Sequence, residues 1–186
     1  MTRPRGRPPQ GQGMARDDIL TAALALLDEG EGQGLTMRAL ATRLGVTPMS
    51  LYHHVGDHAA LLQALSERVY AQVLEGIDDL ADAKARIRAL LTRYHQAVSR
   101  HPQLTMAIFD TPEAYAGITC QITQRLTSLL AQITPEPTLW CDILVDHAHG
   151  SSLALASARG DPAQLRALQH RQQQALDVLL SQFPKG

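Results

Sequence analysis

Between Leu35 and Leu62 the chain reads LTMRALATRLGVTPMSLYHHVGDHAALL, and no other stretch limits the possible folds as strongly. Met37, Leu40, Ala41 and Leu44 recur at helical spacing and give a first segment one apolar side. Leu51 and Val55, four apart, do the same for a much shorter second segment. Thr36 is placed to cap the first segment and Gly45 to end it. Thr47 is placed to cap the second, with Pro48 at the first helical position, where its missing N–H is not needed. Gly56 and Asp57 mark the next break and cap. Two apolar-faced helices so close in sequence must cross tightly and leave one face of the second exposed, which is the geometry a major-groove reader of DNA requires.

Helical spacing recurs through the rest of the chain, and strand signals are almost absent. Ile19, Ala22, Ala23, Leu26 and Leu27 form one face of a helix from Asp17, ended by Gly30 and Gly32. Leu61, Leu62, Leu65, Val69 and Val73 support a connecting helix that continues to about residue 76. Ile87, Leu90, Leu91 and Tyr94 mark a long helix ending near His101 and Pro102, followed by a turn or short helix from Leu104 to Phe109. Pro112 is expected to open a helix through Ile118, Ile122, Leu126 and Leu130, broken by Pro135 and Pro137. The last two helices are expected from Thr138 to Ala158, closed by Gly160, and from Pro162 to Phe183. The expected protein is all-α. Residues 1–15 form a flexible basic arm, 16–62 a helix-turn-helix domain with its connecting helix, and 77–186 a helical bundle.

With 186 residues, 45% of them hydrophobic, the chain can bury a substantial core. Its formal net charge of -1 argues against general polyanion binding, yet residues 1–16 carry Arg3, Arg5, Arg7 and Arg16 and no acidic residue. The positive charge therefore precedes the reading unit, where each phosphate contact adds salt-dependent affinity. Two cysteines, Cys120 and Cys141, lack neighbours at metal-ligand spacing, which argues against a disulfide scaffold or zinc finger and fits a reducing compartment. No apolar run is long enough to span a bilayer. The basic start runs into Pro8, Pro9, Gln10 and Gly11 rather than an apolar signal core, so a cytoplasmic location with no membrane partner is expected.

The short second segment displays Met49, Ser50, Tyr52, His53 and His54, too few residues to be a stable helix alone. The hydroxyls of Thr47 and Ser50 can donate to or accept from base edges, and Met49 can meet a thymine methyl. Tyr52 can bond a phosphate or pack half-buried. His53 can contact backbone or base edge, and His54 can bridge helices within the domain. Thr36 and Arg38 lie at a helix start, where exposed amides favour a phosphate, and Arg43 can serve the backbone or remain solvated. Arg5, Gly6, Arg7 and Pro8 form an RGRP pattern suited to a narrow minor groove. Double-stranded DNA is thus the expected partner.

This constellation resembles the TetR family of one-component bacterial repressors. The resemblance runs from about Arg16 to Leu65 and rests on Gly34, Leu35, Thr36, Met37 and Arg38, on Leu40, Ala41, Leu44, Gly45 and Val46, and on Leu51, Tyr52, His54, Val55, Leu61 and Leu62. It implies that Thr47, Pro48, Met49, Tyr52 and His53 face DNA, with Thr36 and Tyr52 at backbone-contacting places. The family often has a lysine where this chain has His58, and a phenylalanine where it has Val55. A histidine in place of the lysine removes a fixed positive charge from a phosphate-contacting place. The resemblance also implies a homodimer on a palindromic operator, released by a small-molecule effector. A ligand-insensitive architectural DNA-binding dimer is the other reading.

In the bundle, Tyr94, His95, Met106, Phe109, Tyr115, Trp140 and His147 combine apolar area with polar handles and are the candidates to line an effector cavity. Small residues at Gly150, Ser151, Ser152, Ala154, Ala156 and Ala158, with Leu165, Leu168, Leu176, Leu179 and Leu180, mark the expected dimer surface. Asp146 and His149 can share a helix side while His147 points elsewhere, so no metal site is assigned. No catalytic constellation or nucleotide-binding glycine motif is present, and neither an enzyme nor a cofactor is expected.

Overall fold

The computed structural model describes residues 15–30, 34–158 and 161–183, and all its regular elements are helical. Arg5, Arg7 and the rest of the arm to residue 14 lie outside the described residues, as do Gly32 and Gly160. Helix α1 (Arg16–Glu29) buries Ile19, Leu20, Ala23 and Leu27. Side-chain caps then open the next three helices. Thr36 accepts from Ala39 N at 3.1 Å at the start of α2 (Met37–Leu44), and Thr47 accepts from Ser50 N at 3.3 Å at the start of α3 (Pro48–Val55). Asp57 accepts from Ala60 N at 2.8 Å at the start of α4 (His58–Tyr70). Each cap contributes about 1 kcal/mol and sets where its helix begins.

The α2–α3 turn needs a left-handed residue, and Gly45 supplies it with φ of 68°. The N–H of Val46 then returns to Ala41 O at 3.0 Å and closes α2. Leu40, Leu51, Leu61, Leu62 and Leu65 are fully buried between these helices, each contributing about 1.5–3 kcal/mol through burial. The connecting helix is shorter than expected. It ends at Tyr70, and one 3-10 turn, Ala71–Val73, leads into a loop containing Gly76 at φ 60°. Gly76, with its positive φ, cannot continue an α-helix, and Val73 and Ile77 on either side of it are both buried in the core.

The bundle comprises α5 (Ala83–Arg100), α6 (Pro102–Phe109), α7 (Ile118–Leu130), α8 (Pro137–Ser157) and α9 (Pro162–Ser181). Pro112 does not open α7 as expected. It begins a 3-10 turn, Pro112–Ala114, and Gly117 at φ 57° separates that turn from α7. α5 packs along α8, which also touches α7 and α9, while α1 rests on α6, and α4 packs on α6 and α7. The apolar interior is continuous from Ile19 to Phe183. Ser152, Ala158, Leu176 and Leu180 turn into this interior, so they are not available to a partner surface. Among the described residues no helix is long and apolar enough to cross a membrane.

Candidate nucleic-acid interface

α3 shows two chemically different sides. Leu51 and Val55 are buried against the neighbouring helices, while Thr47, Pro48, Met49, Tyr52, His53 and His54 are exposed and Ser50 is half-buried. Met49 is 65% and Tyr52 47% exposed, so two large side chains reach solvent from this side of α3. Thr36 and Arg38 are exposed at the start of α2. Because Thr36 and Thr47 use an oxygen lone pair to cap, each hydroxyl hydrogen remains free to donate to a phosphate or base acceptor. The structure brings all eight described candidates, from Thr36 to His53, to the α2–α3 surface.

Two neighbouring side chains, Arg43 and His58, are already engaged. Arg43 pairs with Glu29 of α1, NH2 to Oε1 at 2.8 Å. His58 donates its Nε2–H to Leu35 O at 2.8 Å, so its half-buried ring ties α4 to the entry of α2 instead of projecting outward. His54 is exposed and bridges no helices among the described residues.

The bundle contains a cavity of about 440 Å³ bounded by α4 to α8. Tyr94, Phe109 and Tyr115 line it. The structure places His95, Met106, Trp140 and His147 elsewhere. Trp140 meets the Phe183 ring edge-on at a centroid distance of 4.6 Å, and Met106 points to solvent. His95 is buried between α5 and α8 beside a separate groove of about 520 Å³ rich in glutamines. Its burial, with His147 nearby, pushes its pKa down to about 4. The Nε2 atoms of both His95 and His147 are buried without a partner among the described residues.

Tyr70, Thr105, Thr119, Thr123, Asp142, Asp146 and His149 line the cavity and were not anticipated. For α8 a signal was present: positions 142, 145, 146 and 149 share one helical face. Tyr94 Oη and His149 Nε2 share a hydrogen bond at 2.7 Å, and Phe109 packs edge-on against the His149 ring at 5.2 Å. Burial raises the Tyr94 hydroxyl's pKa and lowers that of His149, the latter against the opposing charge of Asp146.

The cavity wall is joined to α4 by polar contacts. Gln63 Nε2 donates to Glu113 O at 2.8 Å, and Glu67 Oε1 accepts from Ile118 N at 2.8 Å. A third contact links α1 to the α5–α6 junction, His101 Nδ1 to Asp28 Oδ2 at 2.9 Å. Among the described residues, no cluster of three or more histidine, cysteine or acidic side chains could hold a metal ion.

Residues 19–65 match the model described as bacterial regulatory proteins, tetR family. The chain is 32% identical over 134 residues to the nucleoid occlusion factor SlmA of Aliivibrio fischeri, covering 67% of this chain and 68% of that one. It is 44% identical over 57 residues to the class D tetracycline repressor protein of Escherichia coli, covering 31% and 26% of the two chains. A solved structure of a TetR variant from Acinetobacter baumannii AYE, in complex with minocycline, superposes with a TM-score of 0.68 at 20% identity, over 90% of this chain and 94% of that one. The family model's residues 19–65 span the helix-turn-helix surface described above, and with the relative covered over two thirds of its length the chain belongs to the TetR family of DNA-binding, non-enzymatic bacterial regulatory proteins.

Proposed function

We propose that this regulator is a transcriptional repressor that holds a palindromic operator as a homodimer and releases it when a small molecule occupies the cavity. The observation that carries this reading is the position of α4. Its first turn packs beside α3, and farther along Gln63 and Glu67 grip the segment that walls the cavity. A ligand that displaces Phe109 to Ile118 would pull α4 and change the spacing of the two reading helices. In this reading residues 16–62 bind DNA, the connecting segment to about 76 transmits, and 77–186 hold effector and partner. Thr47, Pro48, Met49, Ser50, Tyr52 and His53 meet base edges and adjacent phosphates, Thr36 and Arg38 meet a phosphate, and Arg5 and Arg7 follow the minor groove.

The dimer surface is the outward side of α8 and α9. Leu139, Ile143 and Leu153 are exposed along α8, with Gly150 and Ala154 on the same side, and Val178 is 62% exposed on α9. The exposed apolar side chains on this side, which flank the exposed Asp146, are suited to a self-complementary contact across a two-fold axis. The repressor named among the relatives and the minocycline held by the structural neighbour support the release step.

A second reading, a DNA-binding dimer insensitive to small molecules, is favoured by the SlmA relative, whose name is that of a nucleoid occlusion factor. Selection of genomic DNA fragments by the purified protein, with and without a metabolite library, separates the two. A recovered palindrome released by one compound supports the repressor. Binding that grows with fragment length without a motif, or a motif that no compound releases, supports the second reading.

A further inference from the structure

The chemical class of the effector follows from which polar groups of the cavity are already satisfied. Tyr70 Oη pairs with Thr105 Oγ1 at 3.0 Å, Tyr115 Oη donates to Thr123 Oγ1 at 2.8 Å, and Tyr94 Oη is joined to His149. Thr119 donates to Ala116 O at 2.8 Å, and Thr123 to Thr119 O at 3.2 Å. Beyond these, the lining carries the Cys141 thiol, 3.9 Å from Thr123 O, and the carboxylates of Asp142 and Asp146, one helical turn apart on α8. Among the described residues neither pairs with a cation. The lining contains no lysine or arginine, and burial lowers the pKa of His149, an effect the nearby Asp146 opposes. The site therefore carries two negative charges, an aromatic interior and no fixed positive charge.

We propose that the cavity takes an apolar, aromatic molecule carrying one positive charge, its body among Tyr94, Phe109 and Tyr115 and its cation against Asp142 and Asp146. The inference rests on the cavity being the effector site. Ring faces attract a cation within about 6 Å of the centroid, and the two acids add Coulomb attraction, weakened by their solvent exposure. An anion of the same shape meets repulsion with no counter-charge in the lining. A neutral molecule gains apolar burial alone, and the internally satisfied hydroxyls offer it little.

The test is calorimetric titration of the full chain with naphthylmethylammonium, naphthylmethanol and naphthylacetate, whose bodies match and whose charges differ. The cation is expected to bind about tenfold more tightly than the alcohol, equivalent to about 1.4 kcal/mol, and the acid most weakly. The double variant Asp142→Asn, Asp146→Asn should reduce the cation to the affinity of the alcohol and leave the alcohol unchanged. Val145→Trp, which fills the cavity, and Phe109→Ala, at an exposed lining position, should weaken both. Equal binding of cation and alcohol, or tightest binding of the acid, overturns the charge class, and loss of that binding in Val145→Trp leaves the cavity reading standing. Binding indifferent to both cavity variants overturns the two together. Failure of all three compounds to bind overturns the class, with operator release by the metabolite library as the separate measure of the cavity reading.

Discussion

Glu67 Oε1 accepts a hydrogen bond from the backbone N–H of Ile118 at 2.8 Å, so a side chain of α4 caps α7 from outside its own segment. Gly117, the residue before α7, has no side chain to do so. Its φ of 57° favours glycine, and a Cβ there would collide with the Glu67 carboxylate. The contact therefore needs both residues, one from each side of the junction between the reading helices and the cavity wall.

Glu67→Ala is expected to lower stability by about 1 kcal/mol, as loss of a helix cap does. Gly117→Ala should cost more, because positive φ with ψ of -127° is backbone that essentially only glycine adopts and adds about 1–3 kcal/mol for a residue with a Cβ. Urea unfolding midpoints measure both. If α4 transmits occupancy, Glu67→Ala should also need more effector to release the operator.

The two sides of α3 should respond oppositely to truncation. Met49→Ala and Tyr52→Ala are each expected to weaken operator binding about tenfold, within the about 1–3 kcal/mol of a base or backbone contact. Their unfolding midpoints should stay within about 0.5 kcal/mol of the wild type. Leu51→Ala, at a fully buried position, should instead lose about 2–5 kcal/mol of stability. Electrophoretic mobility shift and urea titration on the same preparations check the split.

Burial holds His95 at a pKa of about 4, with His147 as the neighbouring titratable group, against about 6.5 for an unfolded histidine. Between those values the unfolded chain binds the proton and the folded chain does not, so unfolding is favoured as pH falls. Stability should therefore drop from about pH 6.5 towards pH 4, and His149, lowered in the same direction by burial, adds to the effect. His95→Gln should flatten the curve of urea midpoint against pH over that window. An unchanged slope would show that His95 does not titrate there.

Charge placed on the exposed stripe of α8 should separate the protomers. Leu139→Arg and Ile143→Arg alter side chains that are 51% and 38% exposed, so the fold is expected to survive. Size-exclusion chromatography with light scattering should report a dimer for the wild type and a monomer for the double variant, with operator affinity reduced because one half-site is then read alone.

Thiol labelling should distinguish the two cysteines. Cys141 is buried, and that burial raises its pKa, whereas Cys120 is partly accessible. Iodoacetamide under native conditions is expected to modify Cys120 first, with Cys141 reacting only on unfolding, as read by peptide mass spectrometry.

The helices from Asp17 to Val55 were legible because their signals are local. Caps at Thr36, Thr47 and Asp57 and apolar residues at 3.6-residue spacing act within one or two turns, so reading them needs no knowledge of distant parts of the chain. The same rule failed at Pro112, where a proline suited to a helix start opens only a 3-10 turn. The next helix waits for Gly117 and a cap supplied by Glu67, fifty-one residues earlier.

The sequence by itself determined the all-α class, the two-sided character of α3 and the family, since periodicity and caps encode which face of each helix is apolar. Tertiary structure alone decided which apolar faces enclose space. Trp140 had the composition of a cavity residue, yet Phe183 from the far end of the chain covers it. His149 enters the cavity, while His147, two positions earlier and so rotated about 200° around α8, turns towards His95. Core packing and cavity lining use the same residue types at the same spacing, and only the crossing of five helices settles where close packing stops.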